Sequence, residues 1–156
     1  MFRPIRRKKK EISTDEAKKL LTEARRGVLA VNGDDGYPYA IPINYYYDEE
    51  NQKIYFHGSR VGHKVDALKK CDKVCFTVLG QENIKAEEWA PFVQSVVVFG
   101  RCHLIDDPSE IQIRRFAMKY YPDEKPVNEE ISISGKAVQM YEIVIEHFSG
   151  KEVQER

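Results

Sequence analysis

Residues 54–66, Ile-Tyr-Phe-His-Gly-Ser-Arg-Val-Gly-His-Lys-Val-Asp, demand a strand that stops in a turn and restarts as a helix. The alternating apolar run at 54–57 is broken by Gly58-Ser59, and 65–70 carries helical spacing. Backbone N–H groups at a helix start, small residues that allow close approach, and Arg60, His63 and Lys64 form a cradle suited to a phosphate. A phosphate held there would belong to a cofactor. The rest of the chain offers no Ser-His-Asp or Cys-His arrangement and no carboxylate pair for acid–base work.

The bulk properties bound the setting. A chain of 156 residues with 42% hydrophobic residues can bury one core, so a single domain over 1–156 is expected, preceded by a basic leader at 1–12. Formal charges balance, 25 basic against 25 acidic, and no overall field calls for nucleic acid or membrane. Three scattered cysteines argue against a disulfide framework and for a reducing compartment. No apolar run approaches the ~20 residues that span a bilayer, and the N-terminus lacks the apolar core of a signal peptide. The chain reads as cytoplasmic. The run Arg6-Arg7-Lys8-Lys9-Lys10 admits a nucleic-acid arm, but no interleaved aromatic platform follows it, so it reads as a solvated leader.

Along the chain, Ser13-Thr14-Asp15-Glu16 is a capping box that opens a helix with Ala17, Leu20, Leu21 and Ala24 on one face. Strands are expected at 27–32, 37–47, 53–57, 73–79, 92–105 and 137–148, with a turn at Asp34-Asp35-Gly36. Pro108 opens a second long helix to 121, and 122–134 reads as a loop. Six strands joined mostly by short turns predict a mainly β fold with peripheral helices, an antiparallel sheet closed into a small barrel. Pro38 and Pro42 interrupt the second strand. Either it is an edge or bulged strand, or its backbone around 40–44 faces a ligand.

The ordered set Gly36-Tyr37-Pro38-Tyr39, Pro42-Ile43-Asn44-Tyr45, Ile54-Tyr55-Phe56-His57-Gly58-Ser59 with Gly62-His63-Lys64, and Ser95-Val96-Val97-Val98-Phe99-Gly100 resembles the pyridoxamine 5′-phosphate oxidase-like, FMN-binding split-barrel proteins. Within them it is most similar to the branch related to 5-nitroimidazole resistance (Nim) proteins. The resemblance implies a six-stranded antiparallel split β-barrel that forms a homodimer with flavin between the subunits. It places the flavin phosphate against Gly58, Ser59, Gly62, His63 and Lys64. It lays Pro42, Ile43 and Asn44 along the flavin ring, directs His57 toward the ring as the catalytic candidate, and brings in Ser95 and Val96 from the long strand. FMN is the implied cofactor, with FAD or a deazaflavin as alternatives. The ending Gly150-Lys151-Glu152-Val153-Gln154-Glu155-Arg156 departs from that of the pyridoxamine-phosphate oxidases, which carry basic and aromatic substrate residues there.

On the residues alone Lys64 reads as an exposed helix residue; the resemblance makes it a phosphate contact. His57 and His63 lack a third convergent donor, so no metal is expected. Cys71 and Cys75 straddle a helix-to-strand break and read as buried free thiols, with Cys102 in the core. Tyr45-Tyr46-Tyr47 reads as packing, and Trp89 as either a pocket wall or an interface residue. The implied activity is an FMN-dependent oxidoreductase that uses NADH or NADPH to reduce small electron-poor compounds. The alternative is a non-catalytic flavin- or haem-binding module.

Overall fold

The computed structural model describes residues 1–135 and 138–155. Ser13 caps helix α1 (Thr14–Glu23) through a reciprocal capping box with Glu16, as the sequence indicates. Then follow β1 (Arg26–Asn32), β2 (Pro38–Asn44), β3 (Tyr46–Asp48), β4 (Lys53–His57), α2 (His63–Lys70), β5 (Lys73–Leu79) and β6 (Phe92–Ile105). Helices α3 (Glu110–Tyr120) and α4 (Glu124–Ser134) precede the last strand, β7 (Met140–Gln154).

All seven strands form one antiparallel sheet in the order β2-β1-β5-β6-β7-β4-β3. Its two edges, β2 and β3, are joined through Tyr45 alone. A sheet whose edges are consecutive in sequence must curl until they approach, and the result is a half-barrel consistent with a split barrel. There are seven strands rather than the expected six, because the expected strand 37–47 breaks at Tyr45. That residue turns inward, fully buried, and its hydroxyl donates to the Leu21 carbonyl at 2.5 Å.

Tyr120 fixes this corner. Its hydroxyl accepts the Tyr45 N–H at 2.7 Å and has the carbonyls of Tyr45 and Arg25 at 2.7 Å for its single proton. Lys119 donates to the Ala24 carbonyl at 2.7 Å and lies 3.7 Å over the Tyr45 ring. Burial, then Arg25, pushes the Lys119 ammonium down to about 8. Inside the curl lie Leu21, Leu29, Ile54, Phe56, Phe76, Val96, Val98, Tyr141 and Ile143.

Pro38 and Pro42 sit on an edge strand whose only ladder partner among the described residues is β1, which bears out the edge reading. Three expectations need correction. Residues 122–134 are not a loop, because α4 occupies most of them. Pro126 does not oppose this, since it falls in the first helical turn, where an N–H has no partner anyway. The last strand begins at Met140 and runs on to Gln154, beyond the expected 148; Ala137, its expected start, lies outside the described residues. The cysteines are free, but only Cys102 is buried, its thiol pushed up to about 12 by that burial. Cys71 and Cys75 are half-buried.

Tyr120→Phe should strand the buried Tyr45 N–H and cost roughly 1–3 kcal/mol. Urea unfolding should show a lower midpoint at unchanged slope; an unmoved midpoint would mean that the corner is held by packing alone.

Candidate functional site

Strand β4 pairs with β7 so that Phe56 lies opposite Tyr141 and His57 opposite Met140. Alternation sends Phe56 into the core, where its ring stacks on Tyr141 at 4.9 Å and 3°, and leaves His57 facing outward. Beyond His57 the chain is pinned back on β7. Gly58 N–H donates to the Gln139 carbonyl at 3.1 Å, and the Tyr141 hydroxyl donates to the Ser59 carbonyl. Ser59 Oγ accepts the Val61 N–H at 3.2 Å, which tightens the turn. Gly62, at φ +131°, holds a conformation that needs glycine and launches α2. No side chain caps α2, so the first-turn N–H groups face outward without intrahelical partners.

Lys64 reaches back over this turn. Its ammonium lies 5.1 Å above the Tyr141 ring and 5.4 Å above the Phe56 ring. A Cβ on Gly58 would stand 2.8 Å from Nζ, so the bare glycine gives the ammonium its place. Burial lowers the Lys64 pKa from its usual range; the Cys102 thiol opposes this without reversing it, and no carboxylate contributes. A half-buried cation whose compensation comes from two π faces is a site that an anion would stabilise.

The expected site residues divide into groups. Gly58, Ser59, Gly62 and Lys64 come together in the cradle, with Arg60 exposed at its edge. His63 offers its backbone N–H as the first helical residue. Its ring turns away, 4.2 Å from the Tyr39 ring and with Nε2 3.7 Å from Asp34 Oδ2. Pro42 projects outward from β2, whereas Ile43 packs against the core; Asn44 ends the strand beside the Tyr45 corner. Ser95 pairs with Lys151 and Ile105 pairs with Met140, the residue opposite His57. Ser95 and Val96 are therefore some ten residues along β6 from that end, about 33 Å at the usual strand rise. Within one chain they do not meet the cradle. Val96 is fully buried, while Ser95 shares the outward face with Val97 and Phe99. Trp89 is exposed. Among the described residues no group of three or more His, Cys, Asp or Glu gathers in a metal-binding cluster, and no helix is long and apolar enough to cross a membrane.

The structure adds a feature that sequence reasoning missed. A cleft of about 510 Å³ opens on the outward side of His57, floored by His57 and Met140 and walled by α3 and α4. The signal was present: Val127, Ile131 and Ser134 are spaced for one helical face, but the prolines at 122 and 126 masked it. His57 stands between cradle and cleft, its ring edge-on to Phe116 at 5.0 Å and 76°. Burial and then the Lys64 charge lower its pKa from the ordinary 6.5, so it is a neutral imidazole at neutral pH.

These two shifts are linked and give a test. The His57 ring should titrate by NMR with a midpoint below the ordinary 6.5, and Lys64→Gln should raise that midpoint by removing the like charge. Because the folded pKa is depressed, protonating His57 opposes folding, and this penalty appears as pH falls through 6.5. A parent midpoint at or above 6.5, or one unmoved in Lys64→Gln, contradicts the coupling.

The sequence profile described as pyridoxamine 5′-phosphate oxidase matches residues 13–152. No curated protein matches the chain. Among solved structures, it is similar to a candidate 5-nitroimidazole antibiotic resistance protein from Bacteroides thetaiotaomicron, at 18% identity and TM-score 0.76 over 92% of this chain and 87% of that one. A FAD-binding protein from Mesorhizobium loti is 25% identical, with TM-score 0.62 over 92% of this chain and 96% of that one. A FAD and heme binding protein from Mycobacterium smegmatis is 18% identical, with TM-score 0.67 over 94% and 74%. With a match that spans nearly the whole chain and a curled antiparallel sheet to accompany it, this protein belongs to the pyridoxamine 5′-phosphate oxidase family.

Proposed function

We propose that the protein binds FMN through the cradle and acts as a flavin-dependent reductase of small electron-poor compounds, of the kind that includes nitroimidazoles. The observation that carries this reading is Lys64: a half-buried ammonium without a carboxylate contribution, set against a bare glycine at an uncapped helix start. These residues fit a phosphate monoester. Lys64 supplies the charge, the first-turn N–H groups of α2 supply directed donors, and Ser59 supplies a hydroxyl. The flavin-binding M. loti protein and the nitroimidazole-resistance candidate lend support as relatives of similar fold.

Bound flavin supplies two-electron chemistry between a nicotinamide donor and an electron-poor acceptor. The protein's contribution is placement. Lys64 and α2 hold the phosphate end, and the proline-interrupted edge of β2 presents Pro42 and Asn44 without a neighbouring strand on that side. As a neutral imidazole His57 has one N–H to donate and one nitrogen to accept, and protonation turns that acceptor into a second donor. Its charge form would therefore alter turnover below its own pKa.

A homodimer belongs to the same reading. The outward face of the sheet carries Pro42, Val28, Thr77 and Val97 in one cross-strand row and Ala40, Ala30, Cys75 and Phe99 in the next. This apolar surface suits a second copy, and Ser95 on the same face would then reach the flavin site from that copy.

Purified protein should take up FMN with absorbance in the near-ultraviolet and blue, be bleached by NADH or NADPH, and be reoxidised by a nitroaromatic. Lys64→Ala should weaken FMN by roughly 1.5–3 kcal/mol, the range for hydrogen bonds to charged groups, and shrink its advantage over riboflavin. Failure to take up flavin at all sinks the proposal. Full occupancy without turnover across a donor and acceptor panel leaves the flavin- or haem-binding module instead.

A further inference from the structure

The cleft beside His57 has the dimensions and chemistry of a ligand pocket, and we infer that it binds a neutral, predominantly apolar small molecule, the substrate side of the site. This rests on the flavin reading only for the word substrate; the binding claim stands on the cleft itself. Its volume, about 510 Å³, lies within the range of small-molecule sites. Ile113, Phe116, Val127, Ile131, Val138 and Met140 give it an apolar lining from three separate segments.

Its polar groups are few, and two are already engaged. Ser134 Oγ donates to the Glu130 carboxylate and has the Glu130 carbonyl at 3.1 Å. The His57 ring and the Tyr121 hydroxyl remain, with His57 packed nearly at right angles to Phe116 and its charged form disfavoured by burial and by Lys64. An occupant therefore meets a long apolar wall, one neutral imidazole with a donor and an acceptor nitrogen, and one phenol hydroxyl at the rim. Charge selects further. A ligand of either sign meets one like charge, the Glu130 carboxylate in the wall or the Lys64 ammonium behind His57, and must leave water for an apolar lining, which is costly for any charge. A neutral ligand meets neither opposition.

The pocket also has a physical reason to stay open. Its floor is a β4–β7 register pair, and its walls are two helices held to each other by the Arg114–Asn128 hydrogen bond. The cleft is thus bounded mainly by regular elements, with Tyr121, Gly135 and Val138 added from the segments that flank the helices and β7.

The test uses 2-naphthol as the neutral probe and 2-naphthoate as its anionic counterpart, with FMN titrated in parallel. Naphthol should bind the parent at least tenfold more tightly than naphthoate, and Glu130→Gln should narrow that ratio. Ala117→Trp, which fills the cleft from α3, should reduce naphthol binding at least tenfold while leaving FMN uptake unchanged. Because a bulky variant can fail to fold, methyl NMR of the parent provides a second readout. Saturating naphthol should shift Ile113, Val127, Ile131 and Val138 and the His57 ring. No naphthol binding, equal affinity for the two probes, or shifts confined to other regions would overturn the inference. Naphthol binding without FMN uptake would leave the pocket standing and remove the flavin reading; FMN uptake without naphthol binding would do the reverse.

Discussion

The fold turns on the Tyr45 corner, where a single residue carries the chain from one edge of the sheet to the other. Its phenol is anchored to the α1 carbonyl of Leu21, its ring meets Phe76 edge-on at 4.9 Å, and its backbone is gripped by Tyr120. Each contact makes the curl of the sheet obligatory, because β3 and β4 can pair with β7 only after the chain has crossed at this point. The corner thereby fixes the position of β4, and β4 fixes the turn at Gly58 and the start of α2. Lys119 and Arg25, which converge on the same aromatic pair, contribute structural charge rather than chemistry.

From that frame follows an electrostatic arrangement with two parts. Lys64 is held where desolvation disfavours its charge and two aromatic faces and the Cys102 thiol offset this, and His57 beside it is kept neutral by burial and by that same charge. An anion bound at the cradle would favour the charged form of both groups, so ligand binding and protonation are thermodynamically linked. The arrangement places a half-buried cation on one side of His57 and an apolar cleft on the other. The proposed flavin nucleotide and neutral acceptor would match this division.

Much of this was legible in the sequence because the signals were local. The Ser13 cap, the Asp35-Gly36 turn with its positive φ angles, the β6 run and the strand-turn-helix at 54–70 all appear with boundaries within two or three residues of those expected. What escaped was decided by tertiary context. Nothing in Asn44-Tyr45-Tyr46 announces that one tyrosine will turn into the core and divide a strand. Helix α4 was hidden because Pro126 reads as a breaker until its first-turn position is known. The separation of Ser95 from the cradle follows from the β6–β7 register, which no local pattern encodes. His63 looked like a cradle side chain, yet Tyr39 and Asp34 draw its ring aside.

The central claim is that the uncapped start of α2 and the Lys64 ammonium form a phosphate site. Phosphorus NMR of the protein with one equivalent of FMN tests it most directly. Free phosphate monoesters change charge near pH 6, at about their second pKa. If the cradle holds the dianion, the bound resonance should stay at its dianionic position through that region and regain the titration in Lys64→Gln. A phosphorus signal that titrates in the complex as it does in free FMN would mean that the phosphate lies in solvent, and the assignment of the cradle would be wrong.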